Sequence, residues 1–238
     1  MYQSLEFFAP KPSFITTQLE IKNTDTLREI YAHSFNDQLF EGTLSKPIFG
    51  KYLCDDAYYL MQYAQILKKL SAKMELNPLA KQLTQLAEEI IGGEQDMQQQ
   101  YSEYFELTPD AEPGEVILSY IKFLETQAEE APLPVALCSI LPCFWIYYQL
   151  GATPISQEKL LSNPYQEWIK TYSFEGFIDA TKALANTIDR LADKADDNTQ
   201  EQMALAITQS INYELQFFNS VDPAQELKCE ASAPMGFK

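Results

Sequence analysis

Apolar positions recur at steps of three and four along most of the chain, and no stretch alternates apolar with polar residues as a half-buried strand would. That period puts one face of each segment against a core, so the sequence predicts an all-α fold, a bundle of about seven helices. They fall near 25–41, 46–73, 78–106, 113–130, 133–150, 163–195 with a break around Ser173, and 200–220. Local start and stop signals agree with these spans. Ser45 ahead of Pro47, and Asn77 ahead of Pro78, read as N-caps with proline in the first turn. Pro132 and Pro134 open the helix at 133–150, Thr199–Gln202 reads as a capping box, and Gly42 and Gly151 mark helix ends. Asp193–Asn198 is a charged turn. No repeat, low-complexity tract or linker divides the chain. One helical domain over 1–238 is expected, with 1–23 as an N-terminal extension and 221–238 as a polar C-terminal tail.

Two helices carry an acid where the core stripe should continue. Phe49, Tyr52, Asp56, Tyr59, Tyr63, Ile66 and Leu70 share one face of the second helix, and the fourth member is a carboxylate. In the last helix Met203, Ile207, Ile211, Glu214, Phe217 and Phe218 lie on or beside one face, with Glu214 in its middle. A carboxylate in aromatic surroundings is costly unless partnered, and desolvation raises its pKa, which is how a general acid is made. Taken singly, each acid also fits a helix-edge residue reaching water or a structural ion pair. The 14 tyrosines fit either a plain core or a cage for a flat polar heterocycle.

The helix at 133–150 contains Pro142 followed by Cys143. Proline removes one backbone hydrogen bond, that of the Cys138 carbonyl, and kinks the helix. Tyr147 lies one turn beyond Cys143 on the same face. A cysteine beside a kink fits a nucleophile aimed into a cavity, and equally a small buried hydrophobe. Cys138 is roughly 140° around the same helix and points elsewhere. Cys54 lies off its helix's stripe.

Composition narrows the function classes. The 238 residues are 46% apolar, which excludes wholesale disorder. The net charge of −17 repels phosphate backbones and anionic bilayers, so neither nucleic acid nor membrane is an expected partner. The single histidine, His33, rules out a two-histidine metal site within one chain. The cysteines, Cys54, Cys138, Cys143 and Cys229, form no CxxC pair and no disulfide framework, which points to a reducing, cytoplasmic setting. The opening MYQSLEFFAPKPSF lacks the basic and apolar regions of a signal peptide. The longest apolar run, Val135–Tyr148, would span roughly 21 Å as a helix, against the ~30 Å of a bilayer core. It reads as a buried helix of a soluble protein.

Five segments in order carry a family resemblance: HSFNDQLFEGTL (His33–Leu44), YLCDDAYYL (Tyr52–Leu60), LPCFWIYYQLG (Leu141–Gly151), NPYQEWIKTY (Asn163–Tyr172) and YELQFF (Tyr213–Phe218). From about residue 24 to 220 the chain resembles the TenA family (thiaminase II, or aminopyrimidine aminohydrolase) of the heme-oxygenase-like helical superfamily. The resemblance implies a cysteine-dependent hydrolase of thiamin-type pyrimidines, acting in thiamin pyrimidine salvage as a homo-tetramer. It implies no metal and no organic cofactor. By position, Cys143 matches the nucleophile, Glu214 the acid/base that protonates the leaving group, and Asp56 the carboxylate that orients the ring nitrogens and the cysteine. Tyr59, Tyr120, Tyr147, Tyr172 and Phe217 match positions lining the pyrimidine pocket. There are departures. Asp55 stands where many members have Gln, which implies a second negative charge near the site. Phe218 replaces a common Trp, and Gln98 aligns with a common His. The alternatives are a relative acting on another amine, a heme-oxygenase-like cofactor binder using His33, and a transcriptional regulator.

Overall fold

The computed structural model describes residues 12–74, 77–102, 112–173 and 175–223, with the backbone alone over 93–102. Cys229, the side chain of Gln98, most of the opening segment, and the tail beyond residue 223 lie outside the described residues.

Every regular element among the described residues is helical. Short segments come first: α1 (Phe14–Thr16) runs into a π-helical stretch, Thr17–Lys22, and then come α2 (Thr24–Tyr31) and α3 (Ser34–Glu41). The long α4 (Lys46–Ala72) and α5 (Pro78–Ser102) follow, then α6 (Glu115–Glu130) and α7 (Leu133–Gly151). Two short helices, α8 (Gln157–Ser162) and α9 (Gln166–Thr171), lead to α10 (Glu175–Ala192) and α11 (Asp197–Ser220). All seven predicted helical regions are present, but one is divided against expectation and others are added. The first splits at Ala32–His33, where the His33 backbone is extended and its ring acts as the N-cap of α3. The region 163–195 breaks into α9 and α10 around Ser173, as the sequence predicts, and α8 is new.

The caps show why the elements begin where they do. Ser45 Oγ accepts from the Ile48 amide at 3.5 Å, and Asn77 Oδ1 accepts from the Leu79 amide at 3.0 Å, as the sequence predicts. The start of α11 differs. Asp196, not Thr199, is its N-cap, with Oδ1 accepting from the Thr199 amide at 2.8 Å. Aspartate there also meets the positive end of the helix dipole, so the helix reaches further upstream than a Thr199 capping box would allow. Gly42 ends α3 with φ 76°, a left-handed conformation that favours glycine.

At the centre lies α7, packed against α4, α6, α9, α10 and α11. Its 19 residues are long and apolar enough to cross a bilayer by length and composition, yet 72% of its apolar window is buried inside this fold. Neighbouring helices play the part that lipid would. Residues 12–23, part of the expected extension, join the core: Ile15 and Leu19 are buried, and the Ile15 amide donates to Asp189 Oδ1 on α10 at 2.9 Å.

Candidate active site

Cys143, Asp56 and Glu214 come from three helices, α7, α4 and α11, and all three side chains are buried. Glu214 is 2% exposed and Asp56 3%, so the reading of either as a helix-edge residue reaching water is overturned. Among the described residues no lysine or arginine is buried. Burial pushes the Glu214 carboxyl up to about 8, against an ordinary value of 4.5, and a hydrogen bond from Tyr120 pulls it back. That bond runs from Tyr120 Oη on α6 to Glu214 Oε1, at 3.0 Å. Tyr120 stays protonated, because burial and then the neighbouring Glu214 charge raise its own pKa well above 10.

Burial, followed by the Glu214 charge, raises the Cys143 thiol well above its ordinary range, while the Tyr59 and Tyr63 hydroxyls beside it act the other way. Cys143 is therefore a protonated thiol at rest, next to a carboxyl that is itself largely protonated at neutral pH. The hydroxyl of Tyr59 is buried and makes no well-formed hydrogen bond. Its ring stacks on Tyr63 at 5.2 Å between centroids and tilts against Tyr120 at 5.2 Å. Tyr120 in turn stacks on Tyr213 at 5.0 Å.

Asp56 joins this group to a second aromatic cluster. Burial first, then Tyr52 and the Asp56 charge, raise the pKa of Tyr147, and the Asp56 charge adds to the rise of Cys143. The hydroxyls of Tyr147 and Tyr52 share a hydrogen bond at 3.0 Å. Tyr172 packs on Tyr147 at 4.7 Å and Trp168 at 5.0 Å, and Phe217 stacks on Tyr52 at 5.1 Å. The structure thus brings together all eight residues singled out from the sequence. It adds Tyr52, Tyr63 and Trp168. The two tyrosines stood in the α4 stripe, where a tyrosine fits a plain core as well as a ligand cage; Trp168 lay in a matched segment without a distinguishing signal.

One sequence expectation changes. Asp55 places no second charge against the thiol. It is 5% exposed and turns to the start of α6, where Oδ1 accepts from the Gly114 amide at 2.7 Å. Adjacent helical residues are about 100° apart, so Asp55 and Asp56 cannot share a face. His33 has a structural role: its Nδ1 accepts from the Phe35 amide at 3.2 Å. Among the described residues no cluster of three or more His, Cys, Asp or Glu could hold a metal ion. A surface groove of about 330 Å³ between α6, α7 and α11, lined by Phe123, Pro132 and Leu205 among others, contains none of the site residues.

Comparison with known proteins yields a consistent set of relatives. A sequence profile described as the TENA/THI-4/PQQC family matches residues 21–222. The thiamine biosynthesis multifunctional protein ThiED of Corynebacterium efficiens is 30% identical over 197 residues, 82% of this chain but 26% of that protein. The chain thus spans about a quarter of ThiED's length. The aminopyrimidine aminohydrolase of Bacillus subtilis is 25% identical over 197 residues, 79% of this chain and 81% of that enzyme. Among solved structures, a TenA homologue from P. horikoshii OT3 superposes with a TM-score of 0.76 at 24% identity, covering 88% of this chain and 98% of its own.

Proposed function

The chain belongs to the TENA/THI-4/PQQC family, and on that premise we propose that it hydrolyses the exocyclic C–N bond of thiamin-type aminopyrimidines, with Cys143 as nucleophile. The observation that carries this reading is the buried Tyr120–Glu214 pair set against Cys143 in an aromatic enclosure. Its relatives named aminopyrimidine aminohydrolase support the reaction class.

In the proposed course the pyrimidine lies among Tyr59, Tyr147, Tyr172 and Phe217, with Asp56 facing its ring nitrogens. The Cys143 thiol passes its proton through Asp56 to the ring nitrogen beside the carbon to which sulfur adds, which breaks aromaticity. Glu214, protonated at neutral pH, gives its proton to the exocyclic amine, and ammonia leaves as the ring electrons push out. Water adds at the exocyclic methylene and returns a proton to Glu214. Sulfur then departs with its bonding electrons and recovers its proton from that ring nitrogen through Asp56, restoring the ring and the starting enzyme. The net change is aminomethyl pyrimidine plus water to hydroxymethyl pyrimidine plus ammonia.

Incubation of the protein with 4-amino-5-aminomethyl-2-methylpyrimidine, and separately with thiamin, tests this directly. Stoichiometric ammonia and hydroxymethyl pyrimidine are expected from the first. No product from either substrate at enzyme concentrations that give many turnovers for an aminohydrolase overturns the assignment.

The remaining features of the proposal are a cytoplasmic enzyme that works without metal or organic cofactor, binds neither nucleic acid nor membrane, and assembles as a homo-tetramer. Exposed Leu118 and Leu205 are the kind of apolar surface that assembly covers. Light scattering at micromolar protein checks the tetramer, and a stable 27 kDa species rejects it.

A further inference from the structure

Two consecutive carbonyls beside Pro142 in the middle of α7 accept from side chains of neighbouring helices. The Ser139 carbonyl accepts from Ser210 Oγ of α11 at 2.6 Å. The Ile140 carbonyl accepts from Tyr63 Oη of α4 at 2.7 Å. Both hydroxyl residues are buried. Each sits one helical turn from a site residue on its own helix: Ser210 from Glu214, and Tyr63 from Tyr59. They differ in one respect. The Tyr63 ring lies 6.0 Å from Phe144, and its hydroxyl is set against the Cys143 thiol.

We propose that Tyr63 is a positioning residue for Cys143, whose single hydroxyl proton is held by the Ile140 carbonyl while the sulfur is a thiol and is redirected to the sulfur when it becomes a thiolate. A phenol has one proton to donate, so it cannot serve both acceptors at once. The exchange moves no proton between heavy atoms. It replaces a neutral hydrogen bond with a charge-assisted one at the moment the nucleophile forms. Ser210 holds the neighbouring carbonyl but has no thiol to serve. The inference rests on Cys143 being the nucleophile.

Alkylation of Cys143 by iodoacetamide, followed by peptide mass spectrometry across pH, reads the thiolate without any substrate. In the reaction sulfur loses its proton to solvent, forms a bond to carbon, and displaces iodide. The groups facing Cys143 are Asp56, Tyr59 and Tyr63 of α4, Tyr120 of α6 and Glu214 of α11. Tyr172 after α9 faces Tyr147, and Asp189 of α10 faces Cys138. All of these stay fixed in the comparison. Tyr63→Phe should move the alkylation midpoint to higher pH and slow the reaction at pH 8 about tenfold, the size of one hydrogen bond. Ser210→Ala, which loosens the same turn without touching sulfur, should leave the midpoint in place. Site-specific replacement of Tyr63 by 3-fluorotyrosine keeps the shape, strengthens the donor, and should move the midpoint down. In the ammonia assay Tyr63→Phe should lower kcat with KM held.

Equal midpoints for Tyr63→Phe and wild type, or equal shifts for Tyr63→Phe and Ser210→Ala, overturn the proposal. If Tyr63→Phe does not fold, a fluorotyrosine midpoint that stays at the wild-type value does so instead. A shifted midpoint in a protein that releases no ammonia would sink the aminohydrolase reading and leave this one standing.

Discussion

Tyr120 and Glu214 meet at 3.0 Å with neither side chain open to solvent, and the tyrosine is the donor. A hydrogen bond to the carboxylate favours the charged form. Tyr120 therefore holds the Glu214 pKa below where burial alone would put it. Tyr120→Phe should raise that pKa further, keep Glu214 protonated to higher pH, and move the alkaline limb of kcat against pH upward. A limb that stays in place would show that Glu214 is not the acid whose titration limits turnover.

The same burial makes stability depend on pH. The folded-state pKa of Glu214, about 8, is raised above its ordinary 4.5. The folded protein therefore holds this proton more tightly than the unfolded chain. The stabilising contribution is fully present below pH 4.5 and is lost as pH rises toward 8. General repulsion from the −17 net charge also grows with pH, so wild type alone does not isolate the effect. Glu214→Gln does. Its Tm should fall less than that of wild type between pH 5 and pH 8.5, and parallel Tm curves would contradict the raised pKa. The same variant should lose at least ~10²-fold in turnover.

Three cysteine variants separate a nucleophile from a general thiol effect. Cys143→Ser should abolish ammonia release while pyrimidine binding, read by tyrosine fluorescence, stays within a few-fold. Serine is close in size but a far weaker nucleophile at neutral pH. Cys54→Ser should be neutral in activity and stability, since Cys54 is only half-buried. Cys138→Ser should keep activity but lose about 1–3 kcal/mol of stability, because it buries a hydroxyl at a fully enclosed position. More than a tenth of wild-type turnover in Cys143→Ser would leave the two carboxylates to carry the reaction.

Gly151 ends α7 for a reason other than its own backbone. A Cβ there would lie 2.4 Å from the Tyr172 carbonyl oxygen, closer than any side chain allows. Gly151→Ala should therefore push Tyr172 away from Tyr147, raising KM for the pyrimidine more than it lowers kcat, and should cost about 1–3 kcal/mol. A variant with wild-type KM would show that the position of Tyr172 does not matter to binding.

Much of this was legible in the sequence because it depends on period. The interrupted stripes of α4 and α11 revealed Asp56 and Glu214, since an acid in a run of aromatics stands out whatever it faces. Cys143 was legible because Pro142 precedes it. What periodicity does not encode is the partner across a helix interface. Tyr63 looked like one more core aromatic, and nothing local says that its hydroxyl reaches the Ile140 carbonyl, 77 residues away in sequence. Asp55 looked like a second site acid for the same reason. The break at His33 was hidden because an imidazole is an unusual N-cap, and α8 because six residues are too few to show a period. Ile15 and Leu19 are four apart and could have been read as a core pair.

Asp55 and Gly114 carry a consequence for how the chain folds. The carboxylate that serves the start of α6 stands 59 residues upstream, in the middle of α4. A Cβ at position 114 would come within 3.3 Å of that carboxylate, so the turn and its acceptor are fitted to each other. The entrance to α6 thus takes an acceptor from outside its own segment. That bond exists only when α4 has formed and docked, and closing the loop between them costs chain entropy. The setting of the helix that delivers Tyr120 is therefore tied to the helix that delivers Asp56.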